Sequence, residues 1–97
     1  MTSPSIWLFA DPPGLAVLAT RRIVREDYPI LCVFQDEDDG GWQFLDGGDV
    51  DEEVTMVVLL ASMMMKDPGI TELAELPRGW RAWRAESTLP WEKSVSA

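Results

Sequence analysis

The stretch ILCVFQDEDDGGWQFLDGG, Ile30 to Gly48, sets two short apolar runs on either side of a cluster of acids and glycines. ILCVFQ is β-branched and aromatic and stops at Asp36; WQFL resumes after Gly41 and stops at Gly47 and Gly48. Glycine accepts the positive φ that a tight reversal requires, so the pattern predicts a hairpin turning at Asp39 and Gly40, with a loop longer than two residues. Alternation along the second strand puts Trp42 and Phe44 on one face and Gln43 and Leu45 on the other.

Working outward from the hairpin, TMVVLL is a continuous apolar run bounded by charge, as expected of a strand covered on at least one face. LAVLAT, ahead of Arg21 and Arg22, is short enough to fit a strand or a helix and is read as a strand. WRAWRAE also fits both periods and is read as a strand. At Asp67, Pro68 and Gly69 a helix should start, with the Asp side chain accepting orphan amides and Pro at the first helical position. The expected strands are therefore Leu15 to Thr20, Ile30 to Gln35, Trp42 to Leu45, Met56 to Leu60 and Trp80 to Arg84. They form an α+β domain: a small antiparallel sheet of about four to five strands, with one or two short helices from Ala61 to Leu76 packed on one face. Residues 1–14 read as an arm broken by Asp11, Pro12, Pro13 and Gly14, and residues 87–97 as a loose tail pinned by Trp91.

A chain of 97 residues holds one core and no separate catalytic domain. Its apolar content of 46% is that of a folded soluble protein. The net charge of −9 is uneven: Asp36, Glu37, Asp38, Asp39, Asp46, Asp49, Asp51, Glu52 and Glu53 fall in one segment without Lys or Arg, and the remaining acids balance the bases. Such a field repels phosphate backbones and anionic lipids and attracts cationic surfaces, which argues against nucleic-acid and membrane partners. Cys32 is the one cysteine, so it has no intrachain disulfide partner and reads as a small hydrophobe. The amino-terminal stretch shows no basic n-region and no run long enough to span a bilayer, so a cytoplasmic protein is expected.

The acidic block admits several chemistries. Paired carboxylates perform acid–base catalysis when their environments push their pKa values apart, whereas a glycine-rich loop leaves them hydrated and alike. Histidine is absent, and the cysteine lies in an apolar run, so the usual base and nucleophile pairings are missing and no enzyme is expected. Asp36 and Asp38 match the start of a calcium loop, but the third acid position falls on Gly40 and the bidentate Glu position on Gly47. Zinc lacks ligands. Divalent-cation binding by the hairpin acids is the alternative to the main reading, and no cofactor is expected. That main reading is a surface for a basic protein partner, formed by Asp36, Glu37, Asp38, Asp39, Asp49, Asp51, Glu52 and Glu53, with Trp42 as an anchor if exposed and as core packing if not. Arg78, Arg81 and Arg84, interleaved with Trp80 and Trp83, read as intramolecular partners of the acids or as guanidinium planes lying on indoles. Of Met63, Met64 and Met65, at least one should face inward.

The order of these motifs resembles the bacterial immunity protein 33 family, a domain of unknown function. TRRIVRE, ILCVF, DGGWQFLDGGD, VVLL and KDPGITELAELPRGW follow one another as that family's segments do, over about Thr20 to Arg84. Asp39, Gly41, Trp42 and Phe44 align with its D-S-G-W-R-F hallmark, and Asp67, Pro68 and Ile70 with its later D-P-x-[IL]. Gly40 stands for the usual Ser and Gln43 for the usual Arg, and an R-E-x-P piece before the hallmark is missing. The resemblance implies a small α+β domain without known catalytic residues, proposed to serve as an antidote that binds a co-encoded toxin, here a basic one. Oligomeric state is not indicated.

Overall fold

The computed structural model describes residues 9–47 and 55–95. In chain order the elements are β1 (Ala16–Thr20), α1 (Arg21–Arg25), β2 (Cys32–Gln35), β3 (Trp42–Leu45), β4 (Thr55–Leu59), α2 (Leu60–Lys66), a 3-10 helix (Pro68–Leu73), β5 (Trp80–Trp83) and β6 (Glu92–Val95). The strands form one sheet in the order β4-β1-β3-β2-β5-β6. The fold is α+β, as expected, but with six strands, not four to five, and three short helices, not one or two.

The sheet is also mixed, not antiparallel. β3 inserts between β2 and β1 and runs parallel to β1, while every other pair is antiparallel. The physical reason is α1, which the sequence reading left out: it begins at Arg21, directly after β1, and reverses the chain before β2 begins. A hairpin that follows this reversal brings its second strand back along β1 in the same direction. The sixth strand comes from the tail, which is ordered where a loose segment was expected.

Residues paired across the strands share a face, and the pattern of burial follows. Val17, Ala19, Val33, Phe44 and Ala82 point to the core together with Ile23, Leu60, Met63, Ile70 and Leu73 from the helices. Met63 is the inward methionine; Met65 is exposed. The expected helical stretch from Ala61 to Leu76 breaks at Asp67, whose φ of −146° and ψ of 95° are extended because Pro68 follows it. Asp67 then caps the 3-10 helix, its Oδ1 accepting the Gly69 amide at 2.9 Å, as the sequence indicated. At the start of α2, no side chain caps the helix; Leu60 and Ala61 instead donate their amides to the carbonyls of Leu15 and Pro13 at 2.9 and 3.0 Å.

The second half of the chain is joined to the first at Arg84. Its guanidinium is buried and donates through Nε and Nη2 to the Ile30 carbonyl at 3.1 and 2.9 Å, pairs with Asp67, and lies 4.0 Å from the centre of the Trp91 ring. The Trp91 indole N–H in turn donates to the Gly69 carbonyl at 3.2 Å. This is what brings the tail back so that β6 can pair with β5. Removing one partner of a buried charge pair leaves the other uncompensated, which is worth about 3 kcal/mol or more. Arg84→Ala is expected to lower unfolding free energy by about that much in urea titration, and Arg84→Lys by a smaller amount, since the ammonium lacks the planar fork. A change below about 0.5 kcal/mol for Arg84→Ala would remove this node from the account of stability.

Candidate functional site

The β2–β3 hairpin turns where the sequence indicated. The Gly40 amide donates to the Asp36 carbonyl at 3.0 Å, and the Asp36 amide to the Gly41 carbonyl at 2.8 Å. Gly40 has a φ of +71°, which an L side chain rarely adopts. Two of the acids hold their own loop: Asp36 Oδ1 accepts the Asp38 amide at 2.8 Å, and Asp39 Oδ1 accepts the Gly41 amide at 2.7 Å. These are Asx turns, the local side-chain to backbone closure that Asp favours.

A second segment braces the turn from beside it. The Gly79 amide donates to the Gln35 carbonyl at 2.8 Å, and Arg78 Nη1 to the Asp38 carbonyl at 3.3 Å. Gly79 lies against the Glu37 side chain, and the Arg78 guanidinium lies over Gly40. The side chains of Asp36, Glu37, Asp38 and Asp39 are exposed, and among the described residues none of them forms an ion pair. Arg78 reaches a carbonyl, not a carboxylate. One guanidinium beside four carboxylates leaves the tip negative. Arg81 lies 5.1 Å from the Trp83 ring centre and Arg84 is taken up in the buried node, so both carry out the stacking role foreseen for the arginines.

Asp46, the next acid of the block, does not join the tip. It is buried, paired through Oδ2 with Arg22 Nε at 3.0 Å and accepting from the Thr20 hydroxyl at 3.4 Å. Asp49, Asp51, Glu52 and Glu53 lie outside the described residues. The described residues that flank them, Gly47 and Thr55, follow β3 and open β4, where Thr55 is paired with Thr20 at the far end of β1. The tip, by contrast, lies where β3 begins. The two ends are separated by the length of β3, roughly 13 Å for four residues of strand.

Trp42 is core, not anchor. It is 3% exposed, meets Phe9 edge-on at 5.4 Å, stacks with Phe44 at 6.3 Å, and donates its indole N–H to Asp11 Oδ2 at 2.8 Å. The hallmark G-W-x-F therefore packs the hairpin onto the core and ties down the residues that precede β1. Phe44 is fully buried on the same face, as alternation indicated.

Two grooves border the tip. One, of about 250 Å³, has Ala16, Leu18, Val57 and Gln43 among its lining and Asp36 and Asp39 with them; the other, of about 420 Å³, runs past Phe34, Glu37, Asp38 and Gly79. Sequence reasoning missed the first groove because β4 and the hairpin are distant in sequence and meet only through β1. Among the described residues no three His, Cys, Asp or Glu side chains converge on a point that could hold a metal ion. Among them, too, no helix is long and apolar enough to cross a membrane. Compared with protein-family models, with curated proteins and with solved structures, the chain matches none. The resemblance to the immunity protein 33 family thus rests on the ordered motifs alone.

Two outcomes are expected here. Gly40→Ala adds a Cβ that would lie 2.8 Å from Arg78 Nε on a backbone with positive φ. It should destabilise the protein by about 1–2 kcal/mol and speed hydrogen exchange at the Asp38 and Gly41 amides; unchanged exchange would show that the turn is not held by this contact. Cys32 is half-buried, and burial raises its thiol pKa above the usual value, with Arg81 opposing the shift. The neutral thiol is unreactive, so alkylation by iodoacetamide at neutral pH should be slower than that of free cysteine and should recover in alkali; a rate equal to free cysteine at neutral pH would contradict it.

Proposed function

We propose that this chain is a non-catalytic, cytoplasmic protein-binding domain whose acidic hairpin tip, Asp36 to Asp39, docks a basic protein. An immunity-type antidote to a basic toxin is the specific form of the reading. The observation that carries it is a set of four exposed carboxylates on a braced turn, without an ion pair among the described residues. Mutual repulsion of like charges destabilises a fold, so an unneutralised cluster gains from an external cation-bearing surface. Bracing by Gly79 and Arg78 lowers the ordering that binding would otherwise require. Long-range attraction from a net charge of −9 speeds encounter with a basic partner and disfavours acidic ones. Asp49, Asp51, Glu52 and Glu53 add to the same field.

The test uses a basic protein encoded beside this chain and measures association rate against salt. Between about 20 and about 200 mM salt the rate should fall roughly tenfold, because screening shortens the reach of the field. The variant Asp36→Asn, Glu37→Gln, Asp38→Asn, Asp39→Asn keeps the Asx-turn acceptors and removes the charge, and should lose most of that salt dependence. A parallel variant at Asp49, Asp51, Glu52 and Glu53 separates the contribution of the second acidic group. Equal rates for wild type and the hairpin variant at every salt concentration would exclude the tip from the interface.

A further inference from the structure

The buried residues of the helices join one core with Val17, Ala19, Val33, Phe44 and Ala82, so the helical layer covers that face of the sheet. On the other face lie the apolar side chains Leu59, Val57, Leu18, Phe34, Cys32 and Trp83, interrupted by Gln43, which sits between Leu18 and Phe34, and by Arg81, which sits beside Phe34. Val57 and Leu59 are 70% and 51% exposed, and the other four apolar side chains are half-buried. At the β4 edge of this face, Leu18, Val57 and Leu59 form an exposed apolar band of a kind that marks interaction sites. The band does not end in neutral surroundings. At the start of β3 it runs into the groove of about 250 Å³ where Asp36 and Asp39 line the same cleft as Leu18 and Val57. Each of these carboxylates has Oδ1 taken by a backbone amide, and Oδ2 has no partner among the described residues.

The charge decides what fits. A second copy of the chain would bring another −9 against the first, with the same acidic cleft. A lysine or arginine side chain suits the cleft better, because it lays methylenes on apolar surface and carries its charge at the end. We propose that the open sheet face is the docking surface for a cationic amphipathic segment of the basic partner, with one lysine or arginine seated in the cleft. Its stem lies on Val57 and Leu18 and its head reaches Asp36 and Asp39. This rests on the acidic-tip reading and adds to it the apolar floor that supplies residence time, since charge mainly sets the rate of encounter and buried apolar contact the rate of escape.

The probe is a short fluorescent peptide alternating lysine with leucine, compared by anisotropy with one alternating lysine with serine at equal length and charge. The full-length chain should bind the leucine peptide about tenfold more tightly than the serine peptide. Val57→Ser with Leu59→Ser should weaken the leucine peptide far more than the serine peptide and so erase most of that preference; both sites are exposed, and an unaltered melting temperature shows that the fold is kept. Asp36→Asn with Asp39→Asn should weaken both peptides. If the serine substitutions change nothing while the asparagine substitutions weaken both peptides, the docking face is overturned and the acidic tip stands. If the leucine preference is lost with the serine substitutions but neither peptide responds to the asparagine substitutions, the seated cation is overturned together with the acidic-tip reading. A concentration-dependent dimer in sedimentation that dissolves on Val57→Ser with Leu59→Ser also overturns the proposal, since the face then belongs to a second copy.

Discussion

The burial of the Arg84 guanidinium is the constraint around which the described structure is organised. A desolvated cation is tolerated only where its donors are met and its charge is answered, and here three parts of the chain supply the answer. The carbonyl of Ile30 comes from the approach to β2, the carboxylate of Asp67 from the start of the 3-10 helix, and the ring of Trp91 from the approach to β6. These segments are far apart in sequence. Their convergence fixes where β5 lies beside β2, where the helical layer ends, and why the tail returns to the sheet. Asp67 serves twice, since one oxygen caps the helix and the other meets Arg84.

Position of the hairpin tip follows from that placement. With β5 fixed against β2, the turn that leads into it, Arg78 and Gly79, is brought beside the β2–β3 loop. The Arg78 guanidinium is spent on a carbonyl and on the glycine it covers, so it braces the backbone and leaves the carboxylates to solvent. Asp36 and Asp39 each give one carboxylate oxygen to a backbone amide of the turn and keep their charge, whereas salt bridges would have neutralised it. Core order and surface charge are therefore linked through the same few residues.

Much of this was legible in the chain. The hairpin, the cap at Asp67, the shared face of Trp42 and Phe44 and the inward methionine follow from local pattern, because each depends on neighbours within a few residues. The features that were not legible depend on pairing at long range. A five-residue α1 is too short to show a helical period, and without it the parallel placement of β3 beside β1 has no sequence signal. EKSV has no apolar alternation, so β6 is set by Trp91 and not by its own residues. The acidic block was the most misleading element: it is continuous in sequence, yet WQFL carries it through the sheet, so Asp46 enters an ion pair with Arg22 while Asp36 to Asp39 remain at the other end.

That separation changes what the charge can do. Nine carboxylates in one cluster would act as a diffuse field or a cation sink, without regard to the surface beneath them. Asp36 and Asp39 share a groove with Leu18 and Val57, and on the proposed reading this gives the charge a direction, because a ligand that satisfies the two carboxylates is guided across those apolar side chains. A free metal ion gains nothing from methyl groups, and an apolar ligand gains nothing from carboxylates. A side chain that is apolar along its stem and cationic at its tip gains from both, and a segment with several such side chains covers the face while its charges meet the rim. The sheet's open face and its acidic end are thus better understood as one surface than as two.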